Sequence, residues 1–126
     1  MKMYEGHQRV MPYLIVPEAS DFIEFMKTVF DAKLIERHER EDGKIKHGEM
    51  QVGEAILMFA DTTDEFHAQT AMMYIYCDDT DAQYKKAMEN GCSPIMEPYD
   101  EDYGARSAGV TDPYGNIWWM ATLKES

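Results

Sequence analysis

Gly53-Glu54-Ala55-Ile56-Leu57-Met58 falls on Gly115-Asn116-Ile117-Trp118-Trp119-Met120 when the chain is shifted against itself by 62 residues. Each stretch is a glycine turn followed by an apolar run that reads as a strand. The correspondence continues outward. Gly48 falls on Gly109 and Val16 on Cys77 at a shift of 61, and Ala32 on Cys92 at 60. A shift held within two residues across four segments argues for a duplicated half-domain.

The segments inside each half follow one order. Residues 10–16 read as a strand, with Pro12 marking its start. Residues 18–30 read as a helix, because Phe22, Phe25, Met26 and Val29 recur at i, i+3, i+4 and i+7. Strands follow at 32–39, 45–52 and 55–60, the first two joined by the Asp42-Gly43 turn. Residues 61–69 are polar and aperiodic and read as a linker. The order then restarts. Strand 71–77 leads to helix 79–90, with Thr80-x-x-Gln83 as a capping box. Strands follow at 93–97, 106–111 and 116–122. Pro98 to Gly104 reads as an acidic, aromatic loop, and Asp112-Pro113-Tyr114-Gly115 as a turn. The predicted fold class is α+β: two tandem βαβββ modules forming cupped mixed sheets with helices on the outer face. Residues 1–126 are read as a single domain, with module one at about 8–60 and module two at about 70–123.

This order in 126 residues resembles the glyoxalase / bleomycin-resistance / extradiol dioxygenase (vicinal oxygen chelate) superfamily. The local sequences that carry the resemblance are Met11-Pro12-Tyr13-Leu14-Ile15-Val16, Phe30-Asp31-Ala32, His47-Gly48-Glu49-Met50 and residues 104–110. The most specific is Asp112-Pro113-Tyr114-Gly115-Asn116-Ile117-Trp118-Trp119. Together they look most like the phosphonate-operon-associated glyoxalase-like branch. Asp31 stands where that branch has glycine, and Asp tolerates a left-handed helix cap.

The resemblance implies a pocket inside the cup. Metal-dependent members place one ligand on the first and one on the last strand of each module. Those positions here are Met11, Leu57, Met72 and Trp119. Thioethers, an alkyl chain and an indole do not make the N/O set such metals need. No metal and no cofactor is therefore expected.

Alternation along the strands extends each implied facing. Met11 in the cup puts Tyr13 there; Met72 puts Tyr74 and Tyr76 there; Leu57 puts Phe59 there. In strand 45–52, Gly48, Met50 and Val52 form a non-polar face that should pack on a helix. His47, Glu49 and Gln51 then face the cup. Arg106, which falls on Ile45 at a shift of 61, is placed at the pocket rim. The expected ligand-binding residues are thus Tyr13, Gln51, Phe59, Tyr74, Tyr76, Arg106 and Trp119, an aromatic wall with few polar groups. Each has a plainer reading: Trp119 as core, the tyrosines as packing, Arg106 as an ion-pair partner of Asp100-Glu101-Asp102.

His47 and Glu49 are the expected catalytic residues. At i, i+2 on one strand they point the same way, roughly 6.5–7 Å apart. The pair suits a carboxylate-oriented general base, two ligands of a displaced metal site, or a structural polar pair. A metal would need a third ligand, and His7, His38 and His67 lie in a tail, an outer strand and the linker.

Composition narrows the partners. With 24 acidic and 12 basic side chains the formal charge is −12. Such a chain repels nucleic-acid phosphates and anionic lipid. It favours a cation where charge selects the ligand, although acidic surfaces also serve solubility. No apolar run approaches the ~20 residues of a membrane span, and residues 1–6 form no signal-like segment. Cys77 and Cys92 fit no Cys-x-x-Cys pattern and read as reduced thiols in a cytoplasmic protein. Three functions stay open. One is a homodimer whose cups bind a small amphipathic or cationic aromatic molecule. Another is a metal-independent lyase or isomerase using His47 and Glu49. The last is a dimeric interaction protein with a closed pocket.

Overall fold

The computed structural model describes residues 1–124. The chain divides into two compact units, Met1–Thr70 and the chain from Ala71 onward. In the first, β1 (Tyr13–Val16), α1 (Ala19–Phe30), β2 (Lys33–Glu39), β3 (Ile45–Val52) and β4 (Ala55–Asp61) follow one another. The sheet order is β1-β4-β3-β2, with β1 parallel to β4 and the other pairs antiparallel. The second unit has β5 (Met72–Tyr76), α2 (Thr80–Glu89), β6 (Ser93–Asp100), β7 (Ala105–Thr111) and β8 (Ile117–Leu123). Its order, β5-β8-β7-β6, repeats the first. Each unit is thus a mixed four-stranded sheet with a helix on one face, as the duplicated pattern predicts.

α1 forms because its apolar residues share one face. Phe22, Ile23, Met26 and Val29 are fully buried, and Phe22 meets Phe59 of β4 edge-to-face at 5.7 Å. Its N-terminus is capped from a distance. Glu18 makes no side-chain cap, and the Ala19 N–H instead donates to Asp61 Oδ1 at 2.8 Å. Asp61 Oδ2 accepts from the Ile45 N–H at 2.7 Å, so one buried carboxylate ties helix, β3 and β4 together. Asp31 ends the helix at φ 55°, the left-handed cap expected of it.

Gly48 pairs with Phe59 across β3 and β4, and any Cβ there would run into the Phe59 ring. Leu57 is also buried, opposite Met50. Leu57 and Phe59 therefore pack on the α1 side, not in the cup. The expected facing of β4 is off by one residue, and Met58 and Ile56 take the other face.

Several boundaries also move, and β1 begins only at Tyr13 where a start at residue 10 is expected. The α2 cap is Asp79, which accepts from the Ala82 N–H, while the Thr80 hydroxyl donates to the Arg106 carbonyl. β6 runs on to Asp100, through part of the segment read as a loop. Cys77 and Cys92 are free thiols, and burial with nearby Asp112 pushes the Cys92 thiol up to about 12. Among the described residues no helix is long and apolar enough to cross a membrane.

Candidate functional site

The first unit gathers its polar chemistry on the sheet face away from α1. Leu14 and Val16 are buried toward the helix, so Tyr13 and Ile15 point the other way. On β3 the same face carries His47, Glu49 and Gln51. β1 and β4 place Tyr13 beside Met58, and β3 places Glu49 beside Met58 from the other side.

β2 contributes through a bulge. Leu34 pairs with Met50 but Glu36, not Ile35, pairs with Glu49. The extra residue shifts the phase of the strand, as bulges do. Glu36 and His38 then stand directly across from Glu49 and His47. Without the bulge Ile35 and Arg37 would occupy those places.

The segment before β1 is held by side chains. Gln8 donates to the Ile56 carbonyl at 2.8 Å and accepts from the Ile56 N–H at 3.4 Å. Its amide serves the β4 backbone just where β1 has not yet begun. His7 follows onto Glu49, with its Nε2 2.7 Å from Oε1. Nothing in the tail's composition or spacing signals this role.

A continuous network results. The Glu49 side chain is only 7% exposed and accepts from two imidazoles, His7 at 2.7 Å and His47 at 2.9 Å. Burial alone would raise the Glu49 carboxyl, but the two imidazole hydrogen bonds outweigh it and hold it below the usual carboxylate range. An ionised carboxylate only accepts, so His47 Nε2 carries the proton. In the neutral ring His47 Nδ1 is the acceptor for the Tyr13 hydroxyl at 3.0 Å. Burial, and next the Glu49 charge, raise the Tyr13 phenol, which stays protonated. Chemically this is a carboxylate–imidazole–hydroxyl relay ending on a half-exposed phenol.

Two clefts meet at the Tyr13–His47 hydrogen bond. One, of about 500 Å³, is lined by Tyr13, Ile15, Ile45, Ala60 and Phe66, with Arg40 and Lys46 also at its wall. Phe66 comes from the segment read as an aperiodic linker. A Thr63 turn holds it there, with Oγ1 accepting from the Phe66 N–H at 2.7 Å. The other, of about 730 Å³, contains His7, Glu36, His38, His47, Glu49 and Gln51. Gln51 spends its amide on the Gly53 carbonyl at 2.9 Å.

The second unit carries different groups at the matching positions. Its ladders place Tyr74 beside Trp119 and Gly109 beside Trp119. Matched by pairing, Tyr74 stands for Tyr13, Trp119 for Met58 and Gly109 for Glu49. The glycine correspondence between residues 48 and 109 is thus off by one, and the His-Glu pair has no counterpart. The Trp119 ring lies over Gly109, where a Cβ would collide with it. Tyr74 and Tyr76 share the Trp119 face and meet each other at 5.4 Å.

Arg106 is on the opposite face. It pairs with Asp81 of α2 at 2.7 Å and with Asp100 at 3.2 Å. Its placement at the pocket rim is corrected; the ion-pair alternative is what the structure holds. Phe59 likewise leaves the ligand wall for the core. Tyr13, His47 and Glu49 are brought together, with Gln51 on the same cleft. Tyr74, Tyr76 and Trp119 form a separate aromatic cluster within their own unit.

Residues 7–120 match the family model of the Glyoxalase/Bleomycin resistance protein/Dioxygenase superfamily. The chain belongs to that superfamily. A protein of Mycobacterium bovis is 25% identical over 118 residues, covering 85% of this chain and 78% of its own. TioX from Micromonospora sp. ML1 shares the fold at a TM-score of 0.77 and 18% identity, over 92% of this chain and 98% of TioX. A PhnB protein from Bacillus cereus matches at 0.77 and 15%, over 92% and 100%.

Metal-bearing members of such a fold draw ligands from the first and last strand of each module. On the cup-facing register those strands offer Tyr13 and Met58 in one unit, Tyr74 and Trp119 in the other. Both phenols are pushed upward, by burial first. In neither unit does the pair, a protonated phenol with a thioether or a protonated phenol with an indole, fit a divalent metal.

Proposed function

We propose that the protein binds a small amphipathic molecule with an apolar, planar body in the first unit's cleft, against Tyr13. The observation that carries this reading is the composition of the 500 Å³ cleft: two aromatic rings and three aliphatic side chains, with Arg40, Lys46, Asp61 and Thr63 as its polar lining. A concave, largely apolar site with few polar groups is the usual form of a small-molecule pocket. The basic groups in its lining are Lys46 and Arg40, the latter paired with Asp42 at 3.4 Å, and the carboxylate of Asp61 is engaged by two backbone amides. That arrangement favours an anionic or acceptor end on the ligand over the cationic one that net charge suggests. Sequestration of a drug or metabolite is a function such a cleft serves. A homodimer belongs to the same proposal: Met72, Tyr74 and Tyr76 lie exposed on the edge strand β5 and offer a second copy an apolar surface.

The test uses 2-naphthoate against benzyltrimethylammonium in calorimetric titrations of the intact chain. Saturable binding of the naphthoate, weakened about tenfold in Phe66→Ala and Tyr13→Ala, is expected from the loss of one aromatic wall. Preference for the ammonium, or binding indifferent to both substitutions, would sink this reading.

The relay favours a second reading, a lyase or isomerase. His47 Nδ1 takes the Tyr13 proton, and the phenolate oxygen in turn takes a proton from the substrate carbon next to a carbonyl, while Glu49 keeps the imidazole oriented. Under this reading Tyr13→Phe abolishes turnover of a carbonyl substrate and leaves its binding intact.

A further inference from the structure

We propose that the first unit also carries a divalent-cation site where the bulged strand β2 faces β3, with Glu36, His47 and Glu49 as its ligands. The site goes beyond the ligand-binding reading and does not depend on it, because its residues line the other cleft. It also lies on strands other than those the superfamily's metal positions occupy.

Geometry comes first. One donor atom each from Glu36, His47 and Glu49 lies within 4.8 Å of the others, a separation that small rotations reduce to a common centre. Two further imidazoles stand at the edge. His38 Nε2 is 3.3 Å from Glu36 Oε2, and His7 Nε2 is 2.7 Å from Glu49 Oε1. Each touches one of the carboxylates and lies outside the three-residue cluster, so it reaches a common centre only by rotating its side chain. Imidazole with carboxylate suits Zn²⁺, Mn²⁺, Fe²⁺, Co²⁺ or Ni²⁺, not a soft monovalent ion.

The second argument is the bulge. It sets Glu36 directly opposite Glu49 on one face. Like charges at directly opposed positions destabilise a sheet pair. A chain with an Ile35–Glu49 pair would avoid that cost. The bulge instead produces it, and places His38 opposite His47 in the next facing pair, rings stacked at 6.3 Å. A cation between the carboxylates removes the repulsion. It would take the place of the proton on His47 Nε2, which shifts to Nδ1, so the imidazole stays neutral and the ring releases no net proton. With Nε2 on the metal, Nδ1 becomes the protonated nitrogen and donates to Tyr13, and that hydrogen bond fixes the ring.

The test is a Co²⁺ titration of the intact, tag-free chain after removal of metals with chelator. The result expected is a visible d–d spectrum that saturates at one Co²⁺ per chain and is displaced by Zn²⁺. His47→Ala abolishes the bands. Glu36→Gln, on a side chain half exposed and away from the core, keeps the circular dichroism of the parent and weakens binding at least about tenfold. His67→Ala, outside the cluster, changes nothing. Absence of d–d bands in the parent chain overturns the proposal, as does an unchanged titration in Glu36→Gln. That last variant decides the matter even where His47→Ala fails to fold.

Discussion

At the scale of single residues, facing decides role. Phe59 was expected on the ligand wall, yet it is fully buried against Phe22 and covers Gly48. Phe59→Ala should therefore cost about 3–5 kcal/mol of stability, the range for a buried aromatic truncated to a cavity. Urea unfolding reads the loss; a change under 1 kcal/mol would return Phe59 to the surface of a pocket. His47 and Glu49 were legible because β3 alternates cleanly, with Gly48 and Met50 on one side and polar groups on the other. The β4 stretch Ala55-Ile56-Leu57-Met58-Phe59-Ala60 is apolar on both faces, so no period in it distinguishes Leu57 from Met58. His7 was illegible for another reason: it acts from a segment with no strand or helix of its own.

At the scale of elements, the helices, strands and their order were readable, and what joins them was not. α1 follows its apolar stripe, but its N-terminal cap comes from Asp61, 42 residues away from Ala19. Capping rules look one to three residues along the chain and cannot find such a partner. Asp61→Ala leaves two backbone amides, at Ala19 and Ile45, without their acceptor. The expected cost is about 2–4 kcal/mol, from the desolvation of unsatisfied buried donors. Thermal unfolding of the variant checks it, and a loss below about 1 kcal/mol would mean water replaces the carboxylate. The β2 bulge was hidden in the same way. Leu34-Ile35-Glu36-Arg37-His38 reads as an ordinary outer strand, and only its pairing with β3 shows that Ile35 is the extra residue.

At the scale of the whole molecule, the charge of −12 acts against the folded state through self-repulsion. Raising NaCl from 0.1 M to 1 M shortens the screening length from about 10 Å to about 3 Å. Thermal stability should then rise by about 1 kcal/mol, or ~4 °C for a chain of this size. A fall on adding salt would mean that pairs such as Arg106 with Asp81 and Asp100 outweigh the excess of acid. The duplicated units share a ladder plan and differ in where their polar groups sit: the first has an imidazole–carboxylate pair, the second a tryptophan lying over a glycine. The strap that carries His7 gives the first unit one more property. His7 reaches Glu49 from a stretch anchored by one glutamine side chain, so it behaves as a tethered competitor. Its imidazole is present at Glu49 at an effective concentration that short flexible tethers set in the millimolar range. Any amine or cation arriving from solution must outbid that resident group or recruit it, and shortening the tail would change the affinity by removing one wall of the cleft.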